Sequence, residues 1–104
     1  MINVKLTAAN GRNVLEVEGH AELNPGNDVL CAAVSVLVQT LAESLSRYAE
    51  GALIESDIRK GYARIVASEG VAVSLFFNFT LNGLRSLEER WPEKIGFSIP
   101  LSAE

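Results

Sequence analysis

A chain of 104 residues has room for one domain, here taken as residues 1–104, and two-domain enzymes are excluded. With 48% hydrophobic and 21% charged residues the composition is that of an ordinary packed soluble protein rather than a disordered tail. Nine basic against thirteen acidic side chains leave a net charge of −4, which offers no electrostatic footprint for a phosphate backbone, so direct nucleic-acid binding is disfavoured.

Ile2, Val4, Leu6 and Ala8 alternate with Asn3, Lys5 and Thr7, the period of a strand with one buried face. Asn10-Gly11 supplies a tight turn, and a second strand returns from about Arg12 to Glu18, ending at Gly19-His20. Residues 21–27 contain Pro25-Gly26 and two asparagines and read as an exposed loop. Asp28 is placed to cap a helix from about Asp28 to Ala49. Leu30, Ala33, Leu37, Leu41, Leu45 and Tyr48 form one stripe on it. Val29, Ala32, Val34, Val36 and Val38 make its first turns apolar nearly all round. One sheet cannot cover that much helix, and a symmetric homodimer is expected to cover the rest.

A second hairpin is expected from Ala52 to Ile58 and Tyr62 to Ser68, with Ala52, Ile54, Ile58, Ala63, Ile65 and Ala67 inward and Arg59-Lys60-Gly61 as the turn. Val71 to Leu81 alternates as a strand would, yet Phe77, Leu81, Leu84 and Trp91 also keep a helical period over a longer span. Length favours helix, stopped by Pro92. Ile95, Phe97 and Ile99 give a closing strand, with Pro100 at its edge or end. The order ββαββαβ predicts an α+β fold: a two-layer sandwich of a mixed or antiparallel sheet with two long helices. The longest apolar run, Val29 to Val34, is far short of a membrane span, and residues 1–6 lack the pattern of a signal peptide, so no membrane partner is expected.

The chain holds one His and one Cys, at positions 20 and 31, on either side of the Pro-Gly loop. A single cysteine forms no intramolecular disulfide, and no Cys/His cluster suits zinc. No metal or cofactor is expected, and the cytoplasm is the expected compartment. A catalytic cysteine needs a helix N-terminus, an imidazole, or both, to bring its pKa below the free value of ~8.5. Cys31 falls three residues after the cap, within the first helical turn, where unpaired amides favour negative charge and can donate to a tetrahedral oxyanion. His20 would take the thiol proton and return it to the leaving amine. Against this stands a plainer role for each residue. Cys31-Ala32-Ala33 can be a helix start that needs small apolar side chains, and His20 can simply close a turn.

Gly19-His20-Ala21, followed by Gly26-Asn27-Asp28-Val29-Leu30-Cys31-Ala32-Ala33-Val34-Ser35, resembles the ribosomal-processing cysteine proteases of bacteria, and the element order extends the resemblance over essentially the whole chain. The resemblance implies a dimeric Cys/His endopeptidase that removes the N-terminal extension of a precursor of large-subunit ribosomal protein twenty-seven. By position, Cys31 is then the nucleophile and His20 the base. Asp28 matches an acidic family residue, first as cap and second as an orienter of His20. Ser35 matches a family serine, with a helix–helix contact as its equal alternative. Pro25 and Gly26 belong to a loop expected to move over the peptide and to bring His20 to Cys31; Pro25 and Leu30 depart from the residues most often found there. Family substrates carry bulky aromatic residues before the cleaved bond, which implies an apolar cleft with Leu23, Val29 and Leu30 as candidate lining or, alternatively, as core.

A competing reading from another class is a non-catalytic dimeric adaptor that binds ribosomal proteins or assembly factors through a sheet edge. A small-molecule regulatory module finds no phosphate loop here and ranks last.

Overall fold

The structure, a computed structural model, describes residues 1–19 and 29–98. The first hairpin pairs β1 (Ile2–Ala9) with β2 (Arg12–Gly19) through a turn in which Asn10 and Gly11 take φ of 56° and 74°. That is the conformation an Asn-Gly hairpin turn is suited to. Helix α1 (Val29–Tyr48) follows, then a second hairpin of β3 (Leu53–Arg59) and β4 (Tyr62–Ser68), helix α2 (Val71–Arg90) and β5 (Ile95–Ser98). The strands form one mixed sheet in the order β3-β4-β2-β1-β5, antiparallel except where β5 runs parallel to β1. The expected ββαββαβ architecture is therefore the one observed. The segment with two readings, residues 71–81, is helix: 20 residues long, it buries Val73, Phe77, Thr80 and Leu84 at helical spacing. Ile99 and Pro100 lie outside the described residues.

Both helices pack on one sheet face. There Ile2 and Val4 of β1, Leu15 and Val17 of β2, Ala63 and Ile65 of β4 and Ile95 of β5 meet Leu30, Val34, Val38, Leu41 and Leu45 of α1. By length and composition α1 could cross a bilayer, with a mean hydropathy of 1.7. The five side chains it buries make it a core helix instead. Its buried stripe departs from expectation: Val34 and Val38 join the core, whereas Tyr48 is exposed. The helices run antiparallel, since Leu37 meets Gly83 midway along α1 and the Tyr48 ring lies 6.3 Å from that of Phe76 at its end.

The opposite sheet face bears a cross-strand ladder. Lys5 stands opposite Glu16, Glu16 opposite Arg64, and Arg64 opposite Asp57. Arg64 bridges Glu16 at 3.1 Å and Glu55 at 3.3 Å, and these carboxylates, Glu16 foremost, raise its pKa further. Alternating charge of this kind suits a solvated face.

Ile54 corrects the expected inward set of the second hairpin. Leu53 pairs with Ala67, but Glu55 pairs with the very next residue, Val66. The extra residue is a bulge, and it leaves Ile54 exposed. Replacing Ile54 by Ser should therefore change stability by less than ~0.5 kcal/mol, whereas Leu45→Ala should cost about 3 kcal/mol in urea unfolding.

Gly83 lets the helices approach closely, because a Cβ there would lie 2.7 Å from Leu37 Cδ2. Ala is the better helix former by ~1 kcal/mol, but crowding of a packed contact costs ~1–3 kcal/mol. Gly83→Ala should thus destabilise the native chain and stabilise a Leu37→Ala variant. The same sign in both backgrounds, read from urea midpoints, would refute the contact.

Candidate active site

Three elements converge at one end of the sheet: the close of β2, the β3–β4 turn and the start of α1. The antiparallel register of β2 and β4 brings the first two together, and the Gly19 amide donates to the Gly61 carbonyl at 2.9 Å. Gly19 has φ of 110°, and a side chain there would overlap the Met1 carbonyl oxygen. Only glycine fits this approach of β2 to the chain start, where the Ile2 amide donates to the Lys94 carbonyl at 2.8 Å. The glycine preceding His20 thus has a steric reason.

Cys31 is the third residue of α1 and is partly buried. Its predecessor Leu30 is fully buried and anchors the helix start in the core. Val34, Ser35 and Val38 follow at three, four and seven residues, on the same helix face. With Cys31 they line a cavity of about 270 Å³. The sheet contributes Ile2, Val17, Ile58 and Ala63 as an apolar floor, and the β3–β4 turn contributes Arg59, Lys60 and Tyr62. This volume is at the small end for ligand sites and suits one side chain with its adjoining backbone.

The amides of the first turn of α1 lack helical partners and, with the helix dipole, favour negative charge near Cys31. The first turn of α1 carries no acidic residue to offset that field. A sulfur anion, or a peptide oxygen becoming negative beside it, is electrostatically suited to this position. Among the described residues, no group of three or more His, Cys, Asp or Glu side chains is placed to hold a metal ion.

Of the residues singled out by sequence, Cys31 and Ser35 share the cavity wall. His20, Asp28, Pro25, Gly26 and Leu23 lie outside the described residues. Val29 and Leu30 are not cavity lining. Leu30 is core and Val29 is half exposed, because helical geometry turns the residues beside Cys31 away from the face that carries its side chain. Sequence reasoning missed the contribution of the β3–β4 turn and of Ile2 and Val17. The Lys60-Gly61 turn was legible as a hairpin, but its place beside Cys31 depends on β4 pairing with β2, a contact between distant segments.

The chain is similar in structure to an essential ribosomal processing protease Prp from Staphylococcus aureus in complex with a covalently linked product peptide. The TM-score is 0.83 at 20% identity, over 96% of this chain and 100% of the other. The same S. aureus protease with a substrate peptide matches with a TM-score of 0.75, at 20% identity and the same coverage. The protein SMU.848 from Streptococcus mutans matches with a TM-score of 0.75 and 30% identity, over 95% of this chain and 93% of that one. No curated protein matches. The family model described as cysteine protease Prp matches residues 1–96, nearly the full length, and the chain therefore belongs to the Prp family of cysteine peptidases.

Proposed function

We propose that this peptidase is an endopeptidase that removes the N-terminal extension of a precursor of large-subunit ribosomal protein twenty-seven, in the cytoplasm, with Cys31 as nucleophile and His20 as base. The observation that carries the reading is the position of Cys31, in the first turn of α1 and on the wall of a cavity with an apolar floor. The S. aureus relative described as a ribosomal processing protease supports the substrate class.

The peptide lies with its scissile carbonyl at Cys31 and a bulky aromatic side chain between the apolar floor of Val17 and Ala63 and the α1 side chains Val34 and Val38. His20 accepts the thiol proton as Sγ attacks the carbonyl carbon, and amides at the start of α1 donate to the oxyanion. Collapse breaks the C–N bond, His20 passes its proton to the departing amine, and a thioester remains on Cys31. Water, deprotonated by His20, attacks the thioester and releases the extension as a carboxylic acid, restoring the thiol. Asp28 is assigned a supporting role to His20, and Ser35, on the cavity wall, assists in holding the peptide.

The protein acts as a homodimer. Val71, Leu75 and Phe79 of α2 recur at four-residue spacing on an exposed face, and exposed Tyr48 stands at the same end of the helix pair. Large apolar side chains gathered in this way favour a second subunit.

Cys31→Ala should retain the fold and lose all cleavage of the precursor, read as product mass; persistent cleavage assigns the nucleophile elsewhere. Binding of the precursor should survive that substitution. In His20→Ala, turnover should likewise be lost, but iodoacetamide should still alkylate Cys31, because the helix terminus continues to favour the thiolate. Phe79→Glu should shift the sedimentation coefficient from dimer to monomer with the circular dichroism of the fold preserved, and an unchanged coefficient would place any subunit contact elsewhere.

A further inference from the structure

We infer that Lys60, at the tip of the β3–β4 turn, sets a charge preference in the peptide site: the substrate side chain that reaches this turn is neutral or acidic, and lysine or arginine there is disfavoured. The inference rests on the peptidase reading, because it takes the cavity beside Cys31 as the place where the peptide lies.

The whole chain is acidic, with a net charge of −4, yet this cavity is not. Among the described residues, Arg59 and Lys60 are the charged residues in its lining, and no Asp or Glu joins them. The two cations are in different states. Arg59 is held by both Asp57 oxygens at 3.1 Å, and its guanidinium lies 4.7 Å from the centre of the Tyr62 ring, so its charge is locally balanced and its geometry set. Lys60 is exposed and makes no ion pair among the described residues. By the strand register Glu18, Tyr62 and Arg59 share the outer face of the sheet, away from Val17 and the cavity floor. Among the described residues, Lys60 is thus the cavity-lining charge that no ion pair balances.

Distance decides whether this matters. A sphere of the cavity's volume is on the order of 8 Å across, about the Debye length at physiological salt, so a substrate charge inside it is incompletely screened from Lys60. Rim charges of this kind contribute little to total affinity and much to which partner is accepted. A ribosomal precursor is rich in cations, and repulsion at one subsite favours the register that places an uncharged segment in the cavity.

The test uses a fluorescein-labelled ten-residue peptide spanning the extension junction of the proposed precursor, with each position replaced singly by Lys or by Glu. Binding is measured by anisotropy on the Cys31→Ala protein, which reads acceptance without requiring cleavage. At one position the Glu peptide should bind about two- to fivefold tighter than the Lys peptide. Lys60→Glu should reverse that order at the same position and leave the others unchanged. Lys60→Met should abolish the difference, as should ~1 M salt, where the Debye length falls to ~3 Å. Ratios that are unchanged in both Lys60 variants, ratios that shift equally at all positions, or an absence of binding overturn the proposal. Mass analysis of the unsubstituted peptide after incubation with the native protein separates the two readings. A preference reversed at Lys60 without any cleavage removes the peptidase and keeps the charge selection. Cleavage with no dependence on Lys60 does the opposite.

Discussion

The site depends on the seating of the first turns of α1 over one end of the sheet. Leu30, Val34 and Val38 are buried in the core where α1 packs on β3 and β4, and burying side chains of this size stabilises the contact by roughly 1.5–3 kcal/mol each. That contact fixes the axis and rotation of the helix, and with them the direction of Cys31. The cysteine is reachable from the cavity because its neighbour is not.

The two sheet faces divide the work. The inner face is apolar and holds the helices, and at its open end the same residues that close the core, Val17 and Ala63, become the floor of a cavity. The outer face carries the ladder from Lys5 through Glu16 and Arg64 to Asp57, which keeps it wetted. Core and site are therefore continuous, and substitutions in the cavity floor will be felt in stability as well as in recognition. The bulge at Ile54 belongs to the edge strand β3, where an added residue disturbs pairing on one side only.

Membership of the Prp family and the position of Cys31 bear on chemistry in different ways. The family match spans residues 1–96 and establishes a cysteine peptidase. The helix start beside a cavity then explains why a cysteine at position 31 is a suitable nucleophile, since the unpaired amides favour both its anion and that of the intermediate it would form. The β3–β4 turn adds a feature that the nucleophile alone does not imply, Arg59 and Lys60 in the lining of the cavity beside it.

Much of this molecule was legible in the sequence because its signals are local. Alternation in residues 2–8, the Asn10-Gly11 turn and the apolar run of α1 each depend on neighbours a few positions apart, and so does the Gly-His-Ala and Gly-x-Asp-x-x-Cys pattern that identified Cys31 and His20. Residues 71–81 satisfied two periods at once, and the helix won because it buries Phe77, Thr80 and Leu84 together. Where contacts join distant segments, the sequence was silent. The bulge that expels Ile54, the packing of Leu37 on Gly83 and the arrival of Arg59 and Lys60 beside Cys31 all follow from which strand lies next to which. Sequence alone determined the kinds of element and singled out Cys31 and His20 as candidates, because periodicity and side-chain chemistry are carried along the chain. The tertiary structure decided what surrounds the thiol, because β4 pairs with β2 and brings to it a turn from some thirty residues further along.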